Sequence, residues 1–462
     1  MDLVIQNGTV GTAGETFKAD IGIDGGKIVK ISQAIETGED VLDASGKYVV
    51  PAGVEIHTHI DSVLHGMRTV DDWFDASVGA AFGGTATVVD FPLQGEDQTL
   101  WQTIHEFMER AGGNSIVDFA FTPIIRNYTG ETYKEIPELI EEGFTTFKVF
   151  MYYDWKVDDY NLAKVLDIVG SNGGLVSIHC ENAGVIDYLI DKHLAEGKTG
   201  IDWHEPTRPV STEVEAVNRV LSVAEELNAP VLIVHVSSGE SVKEIAKART
   251  RGVEAFGEAM PHFLTLDKTA YDDPREAWTV AMTPPLRSKE NHKTLWAGLR
   301  TGSLITVGSD HCAFPLEDKK RLFKTRGSKF TMIPHGIPGI ETRLPIIFSE
   351  GVSKNRITLS KFVEVTSTNP AKLTGLYPKK GSMSIGSDAD ITIIDPEKEV
   401  TIRNDHLHGN TDYTPFEGLK LKGYPVTTIS RGRILVHDGE LVSDRGHGEM
   451  LMRRKKIDTS II

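Results

Sequence analysis

Four histidines, one lysine and one aspartate carry the chemistry that this sequence suggests. His57-Thr58-His59 closes an apolar run, and Lys148, His179, His235 and Asp310 follow late in, or at the ends of, later strand-like runs. Residues i and i+2 of a strand share a face, so His57 and His59 can grip one cation together. Imidazole suits zinc, and hard oxygen ligands can bridge two ions. Lys148 is the odd member, because an ammonium buried beside imidazoles is normally expelled or neutralised. A neutral amine that takes up carbon dioxide becomes an N-carboxylate, with two oxygens able to bridge a metal pair. Two divalent ions, carboxylated Lys148, ionised Asp310 and a bridging hydroxide leave a single net positive charge. A protonated, unmodified lysine would leave three in a site with little water, so the modified form is expected. His57 and His59 then hold the first metal and His179 and His235 the second, with Lys148 between them and Asp310 completing the first shell. Coordination takes the pKa of water from about 15.7 to about 7, which makes a nucleophile at neutral pH. Asp310 can accept that proton and pass it to a leaving nitrogen, while the second cation stabilises the oxyanion. Zn2+ is the expected ion, with Mn2+ or Co2+ as alternatives.

These residues need a scaffold that brings distant strand ends together. Eight apolar or β-branched runs appear at GVEIHTHI, TATVVDF, VDFAFTPII, TTFKVFMY, LVSIHCE, APVLIVHVSS, VEAFGEAM and SLITVGSDH. Amphipathic stretches such as TLWQTIHEFMERAG and EVEAVNRVLSVAEELN lie between most of them, with apolar residues at helical steps. Alternating strands and helices predict an α/β chain whose residues 53–377 form a (β/α)8 TIM barrel. A doubly wound sheet is disfavoured, since no Gly-rich phosphate fingerprint follows the first strand. Barrel chemistry sits at the C-terminal strand ends, where the six candidates fall. Both chain ends are β-rich with Gly- and Asn-containing turns, and neither is long enough to build a core alone. A small β-sandwich domain from residues 1–52 and 378–442 is expected. The tail 443–462 reads as a solvated arm or subunit contact, residues 314–342 as a long loop over the barrel mouth, and 358–374 as a helix interrupted near Pro370.

The chain has 462 residues, 25% charged and 40% hydrophobic, with a formal net charge of −17. That balance is ordinary for a globular protein and argues against a nucleic-acid partner. No apolar stretch is long enough for a membrane span. The opening MDLVIQNGTV lacks the basic and apolar regions of a signal peptide, so a cytoplasmic location is expected. Cys180 and Cys312 exclude a disulfide framework by number and read as reduced core thiols.

The ordered set HTH, FKVFM, IHCEN, VHVSS and GSDH resembles the hydantoinase/dihydropyrimidinase branch of the amidohydrolase superfamily. The resemblance runs nearly end to end, through PAGVEIHTHID, AMTPPLR, GIPGIETRLP and KKGSMSIGSDADITIIDP. It implies a binuclear, usually zinc, centre with a carboxylated lysine, a composite β-domain and commonly a homotetramer, with a dimer as the alternative. By motif, His57, His59, Lys148, His179, His235 and Asp310 match the ligands, and Tyr153 matches a tyrosine that assists the oxyanion. Thr283 stands where the family more often has serine, and His335 where many hydantoinases carry asparagine. His262 replaces a common glutamine in a motif also found in allantoinases. The resemblance further implies that the loops Ser62–Thr69 and Tyr152–Trp155 line the pocket for the ring substituent, with Leu64, Met67, Tyr152 and Trp155 making it apolar. The expected reaction opens the C–N bond of a cyclic imide or ureide, giving an N-carbamoyl amino acid. Allantoinase is the alternative enzyme, and a non-catalytic scaffold of this fold is the alternative of another class.

Overall fold

The computed structural model describes residues 1–64 and 66–459. Among them, eight parallel strands occupy the middle of the chain in two sheets. Gly53–Glu55, Thr85–Asp90 and Asp118–Phe121 form one, with Thr85–Asp90 at its centre. Thr146–Phe150, Leu175–His179, Val231–Ile233, Ala255–Ala259 and Leu304–Val307 form the other, paired in chain order. Single parallel bridges, Ile124 to Lys148 and Thr58 to His311, run between the flanks of the two sheets. Every residue of these strands is buried. Continuous apolar runs are what a parallel sheet covered on both faces requires.

Helices fill the intervals, and local chemistry fixes where they start. Thr99 accepts from the Gln102 amide while the Gln102 side chain accepts from the Thr99 amide, a reciprocal cap for Leu100–Ala111. That helix buries Leu100, Thr103, Ile104, Phe107 and Ala111, the three- and four-residue steps of one face. Asp72, Asp158, Asn182 and Ser238 cap other helices, each with a side-chain oxygen that accepts from first-turn amides.

The chain ends meet in a seven-stranded sheet, where Ile391–Thr401 lies antiparallel to Tyr48–Pro51 with Ile393 opposite Val49. A second sheet carries Leu3–Gln6 between Asp20–Asp24 and Asp40–Asp43. Ile5, Val10, Ile21, Val49, Ile391, Ile393 and Ile429 share one apolar cluster, so each end covers the other's hydrophobic face. Lys380 ties this region to the parallel strands, its ammonium 2.5 Å from Asp118, 2.8 Å from Asp388 and 2.6 Å from Asp390.

Three segments differ from expectation. Residues 314–342 contain a helix, Leu316–Thr325, with Glu317 and Asp318 in its first turn and Lys324 in its last, charges that suit the helix dipole. The interruption near Pro370 falls earlier, where Glu364–Thr368 widens into π-helical turns. Pro370 follows directly, in Asn369–Leu373, where the wider turns accommodate a residue without an N–H. The tail is not a solvated arm as far as Thr459. Leu451 donates to the Phe119 carbonyl at 2.7 Å, Ile457 donates to the Gly173 carbonyl at 2.9 Å, and Arg453 is buried on the carbonyls of Phe121 and Gly143. Apolar side chains interleaved with the basic run hold it down, leaving Arg454, Lys455 and Lys456 exposed. The last three residues of that expected tail lie outside the described residues. Among those described, no helix is long and apolar enough to cross a membrane.

Arg343 locks the strands beneath the site. It is fully buried, with Nε 3.0 Å from Glu55, Nη1 donating to the Val307 carbonyl at 2.9 Å and Nη2 to the Thr85 hydroxyl at 3.0 Å. Glu55 in turn accepts from the amides of His57 and Ser309. Arg343→Met therefore leaves a buried carboxylate unpaired and should lower stability by about 3–5 kcal/mol in denaturant titration. Adding Glu55→Gln should restore part of that loss.

Candidate metal centre

Five of the six candidate residues, His57, His59, His179, His235 and Asp310, line one cavity, and Lys148 is buried among the strands that carry them. His57 and His59 leave the strand Gly53–Glu55, Lys148 lies within Thr146–Phe150, and His179 ends Leu175–His179. His235 and Asp310 follow Val231–Ile233 and Leu304–Val307. Asp310 reaches His57 Nε2 at 3.1 Å and His59 Nε2 at 3.4 Å, and these three groups are close enough to share an ion. His179 Nδ1 and His235 Nε2 face each other at 2.9 Å. The rings of His57 and His235 lie 5.5 Å apart and join the two groups. Asp310, His235 and Tyr153 all take left-handed backbone angles, with φ of 50°, 36° and 75°. Each such conformation costs about 1–3 kcal/mol in a non-glycine residue, strain that concentrates at functional sites.

Electrostatics make the same grouping. Lys148 is fully buried, its Nζ has no hydrogen-bond partner among the described residues, and burial pulls it down to about 7. Its charge acts on all four imidazoles. Burial holds His59 and His179 below the usual histidine range and His235 well below it, so these rings keep lone pairs at neutral pH. Burial also disfavours charge on His57, but Glu258 and Asp310 overcome it and raise that ring to about 9. Neutral imidazoles, an amine without a partner and a carboxylate form a donor set that fits divalent cations.

A layer of buried carboxylates behind the imidazoles was not singled out in the sequence. Glu258 accepts from His57 Nδ1 at 2.6 Å and from the His235 amide at 3.2 Å. Glu181 accepts from His179 Nε2 at 2.7 Å and from Arg208 Nη1 at 2.8 Å. Each fixes a tautomer, turning the opposite ring nitrogen toward the cavity. The available signals were slight: Glu181 lies two residues after His179 in IHCEN, and Glu258 lies late in the strand run VEAFGEAM.

The cavity in front of the cluster encloses about 470 Å³, part of it open to solvent. Leu64, Tyr153, Trp155, Thr283, His335 and Cys312 line it with the imidazoles and Asp310. Thr283 and His335 are paired, hydroxyl to Nδ1, at 2.9 Å. Tyr153 stacks on Trp155 and stands 5.8 Å from the His179 ring. Burial pushes its phenol far above the ordinary tyrosine range, so the hydroxyl keeps its proton. Tyr152 instead lines a larger outer cavity that shares Tyr153, Trp155 and His335 with the inner one. Met67 is not on the inner wall but packs in the cluster behind Leu64, Cys312 and Phe314. His262 is buried off that wall, Cys180 and Cys312 are free and buried, and position 65 of the Ser62–Thr69 loop lies outside the described residues.

The Amidohydrolase family model matches residues 48–435. The chain is 41% identical over 459 residues to D-hydantoinase of Ralstonia pickettii, covering 98% of this chain and 99% of that one. It is 42% identical over 460 residues to D-hydantoinase of Geobacillus stearothermophilus, covering 98% and 97%. The crystal structure of dihydropyrimidinase from Brevibacillus agri superposes with a TM-score of 0.96 at 40% identity, covering 99% of both chains. This chain belongs to the amidohydrolase family. Members of the family bind a divalent metal, and the cluster of His57, His59 and Asp310 offers donors of that kind.

In metal-free protein the Glu258 contact should be visible in stability against pH. A histidine raised to about 9 stabilises the fold fully below its unfolded value near 6.5, and that contribution is lost as pH climbs through 9. Melting temperature of the metal-free protein should therefore fall between pH 6.5 and 9 more steeply in wild type than in Glu258→Gln. Equal slopes would remove Glu258 as the source of the His57 shift.

Proposed function

We propose that this chain hydrolyses the ring amide C–N bond of hydantoins or dihydropyrimidines, yielding N-carbamoyl amino acids. Four imidazoles and Asp310 meeting at one cavity wall, with buried Lys148 acting electrostatically on all five, carry this reading, in a chain alike over almost its whole length to D-hydantoinases. The names of those relatives favour the D enantiomers. We read residues 53–377 as a (β/α)8 barrel, supported by the bridges that run between the flanks of the two parallel sheets. Residues 1–52 and 378–442 read as one β-sandwich domain, supported by their shared apolar cluster, with the described part of the 443–462 tail, to residue 459, laid along the barrel.

His57 and His59 would hold one divalent ion with Asp310, and His179 and His235 a second, with N-carboxylated Lys148 contributing to both. Zn2+ suits these donors, with Mn2+ or Co2+ as alternatives. When bound, such ions supply an acidified water and a positive charge for the developing oxyanion. Lys148 is suited to carboxylation because, at about 7, much of it is neutral amine. The amine nitrogen bonds the carbon of carbon dioxide and releases one proton. Asp310 takes a proton from the attacking water and returns it to the ring nitrogen as the C–N bond breaks. Tyr153, kept protonated by burial, donates to the carbonyl oxygen as it gains charge. Thr283 and His335 border the ring site, and Leu64 and Trp155 give the substituent an apolar wall. A cytoplasmic homotetramer is the assembly we propose, checked by light scattering.

Turnover of 5-substituted hydantoins and dihydrouracil well above allantoin is the expected result on metal-reconstituted protein, and the reverse order would establish the allantoinase alternative. Absence of bound metal and of all turnover would point to the scaffold. Lys148→Ala should lose most bound metal and activity, with partial rescue by small carboxylic acids. Asp310→Asn should keep most of its metal while turnover falls at least about 10²-fold. Near-normal turnover there would take Asp310 out of proton transfer.

A further inference from the structure

We infer that Arg208 is a positioning residue that holds His179 and the Tyr153 turn in register through two contacts made by one guanidinium. This rests on the proposed cyclic amidase reading. Arg208 and Glu181 are buried together, Nη1 donating to Glu181 Oε2 at 2.8 Å, and that same oxygen accepts from His179 Nε2 at 2.7 Å. The guanidinium also lies over the Tyr152 ring, 4.0 Å from its centroid. Tyr152 packs against Tyr153, with 4.9 Å between ring centroids. Tyr153 itself sits at φ 75°, a conformation its surroundings must enforce.

The Arg208 backbone is anchored, since Arg287 donates to its carbonyl while also holding the Ser237 hydroxyl. Arg208 thus connects the turn of the proposed oxyanion donor to the carboxylate that orients a proposed ligand. A buried ion pair alone would explain the contact with Glu181, but a lysine could make that contact. Flat cover over a tyrosine ring combined with a hydrogen bond to Glu181 suits the planar, weakly hydrated guanidinium better than a compact, strongly hydrated ammonium. Orienting groups of this kind affect metal affinity or activity by about 10- to 100-fold.

Three variants separate the two contacts. Arg208→Lys keeps a cation for Glu181 and loses the planar cover, so it should retain wild-type zinc against a chromophoric chelator while kcat on a hydantoin falls about 10-fold with KM little changed. Arg208→Met removes the charge and should lose zinc at least about 10-fold faster. In an Arg208→Lys background, Tyr153→Phe should cost a clearly smaller factor in kcat than it costs in wild type, because both act through one hydroxyl. Fully multiplicative losses, or an Arg208→Lys enzyme with wild-type kcat, would overturn the coupling. The zinc measurement needs no substrate, so a wild-type protein inactive on hydantoins would count against the amidase reading and leave the metal arm to decide the Glu181 contact.

Discussion

Burial of charge is the constraint on which the rest of the site depends. Among the described residues, buried Lys148 has no hydrogen-bond partner at Nζ, and Phe91 and Phe150 present ring faces to it at about 5 Å. Desolvation on this scale lowers the ammonium into the neutral range and keeps His59, His179 and His235 deprotonated. A protein that buries so many nitrogen donors without protonating them has prepared electron pairs for a cation. The proposed carboxylation follows the same logic, since it replaces a repelled charge by an attracted one.

Such a cluster stays in place only because carboxylates stand behind it. Glu258 holds His57, Glu181 holds His179, and Glu55 holds the amides of His57 and Ser309. Two of these acids are paired in turn with buried arginines, Arg208 and Arg343. Burial resists the charge on Glu181, yet Arg208 and the His179 hydrogen bond bring it down to about 2. The result is a set of nested contacts in which Glu181 and Glu55, which hold the histidine segments, are themselves held by arginines.

The peripheral segments support the strands that carry this arrangement. The two chain ends complete each other's apolar cluster, and Lys380 with its three aspartates joins them to the strand Asp118–Phe121. The segment near the C-terminus runs back along the same strand through Leu451 and against Gly143 and Phe121 through Arg453. Its basic composition suggested solvent. Burial of Arg453 on backbone carbonyls, which offer acceptors without any sequence signature, reversed that expectation.

Much of the site was legible because its elements repeat. Strand and helix periods, and histidines at the ends of apolar runs, depend on local spacing, so His57, His59, Lys148, His179, His235 and Asp310 could be grouped before any coordinates. The helix Leu316–Thr325 was hidden by its polarity: with few apolar residues to mark a face, it read as loop. Met67 was assigned to the pocket by its loop, but which way a loop side chain turns depends on what packs around it. Glu181, Glu258 and Arg208 stayed out of sight for a related reason. A buried acid or arginine looks like any surface charge until the fold brings its partner, 27 residues away for Glu181 and 201 for Glu258, within hydrogen-bond reach. Residue types and periodicity determined the chemistry, and only tertiary contacts decided which charges would hold it in place.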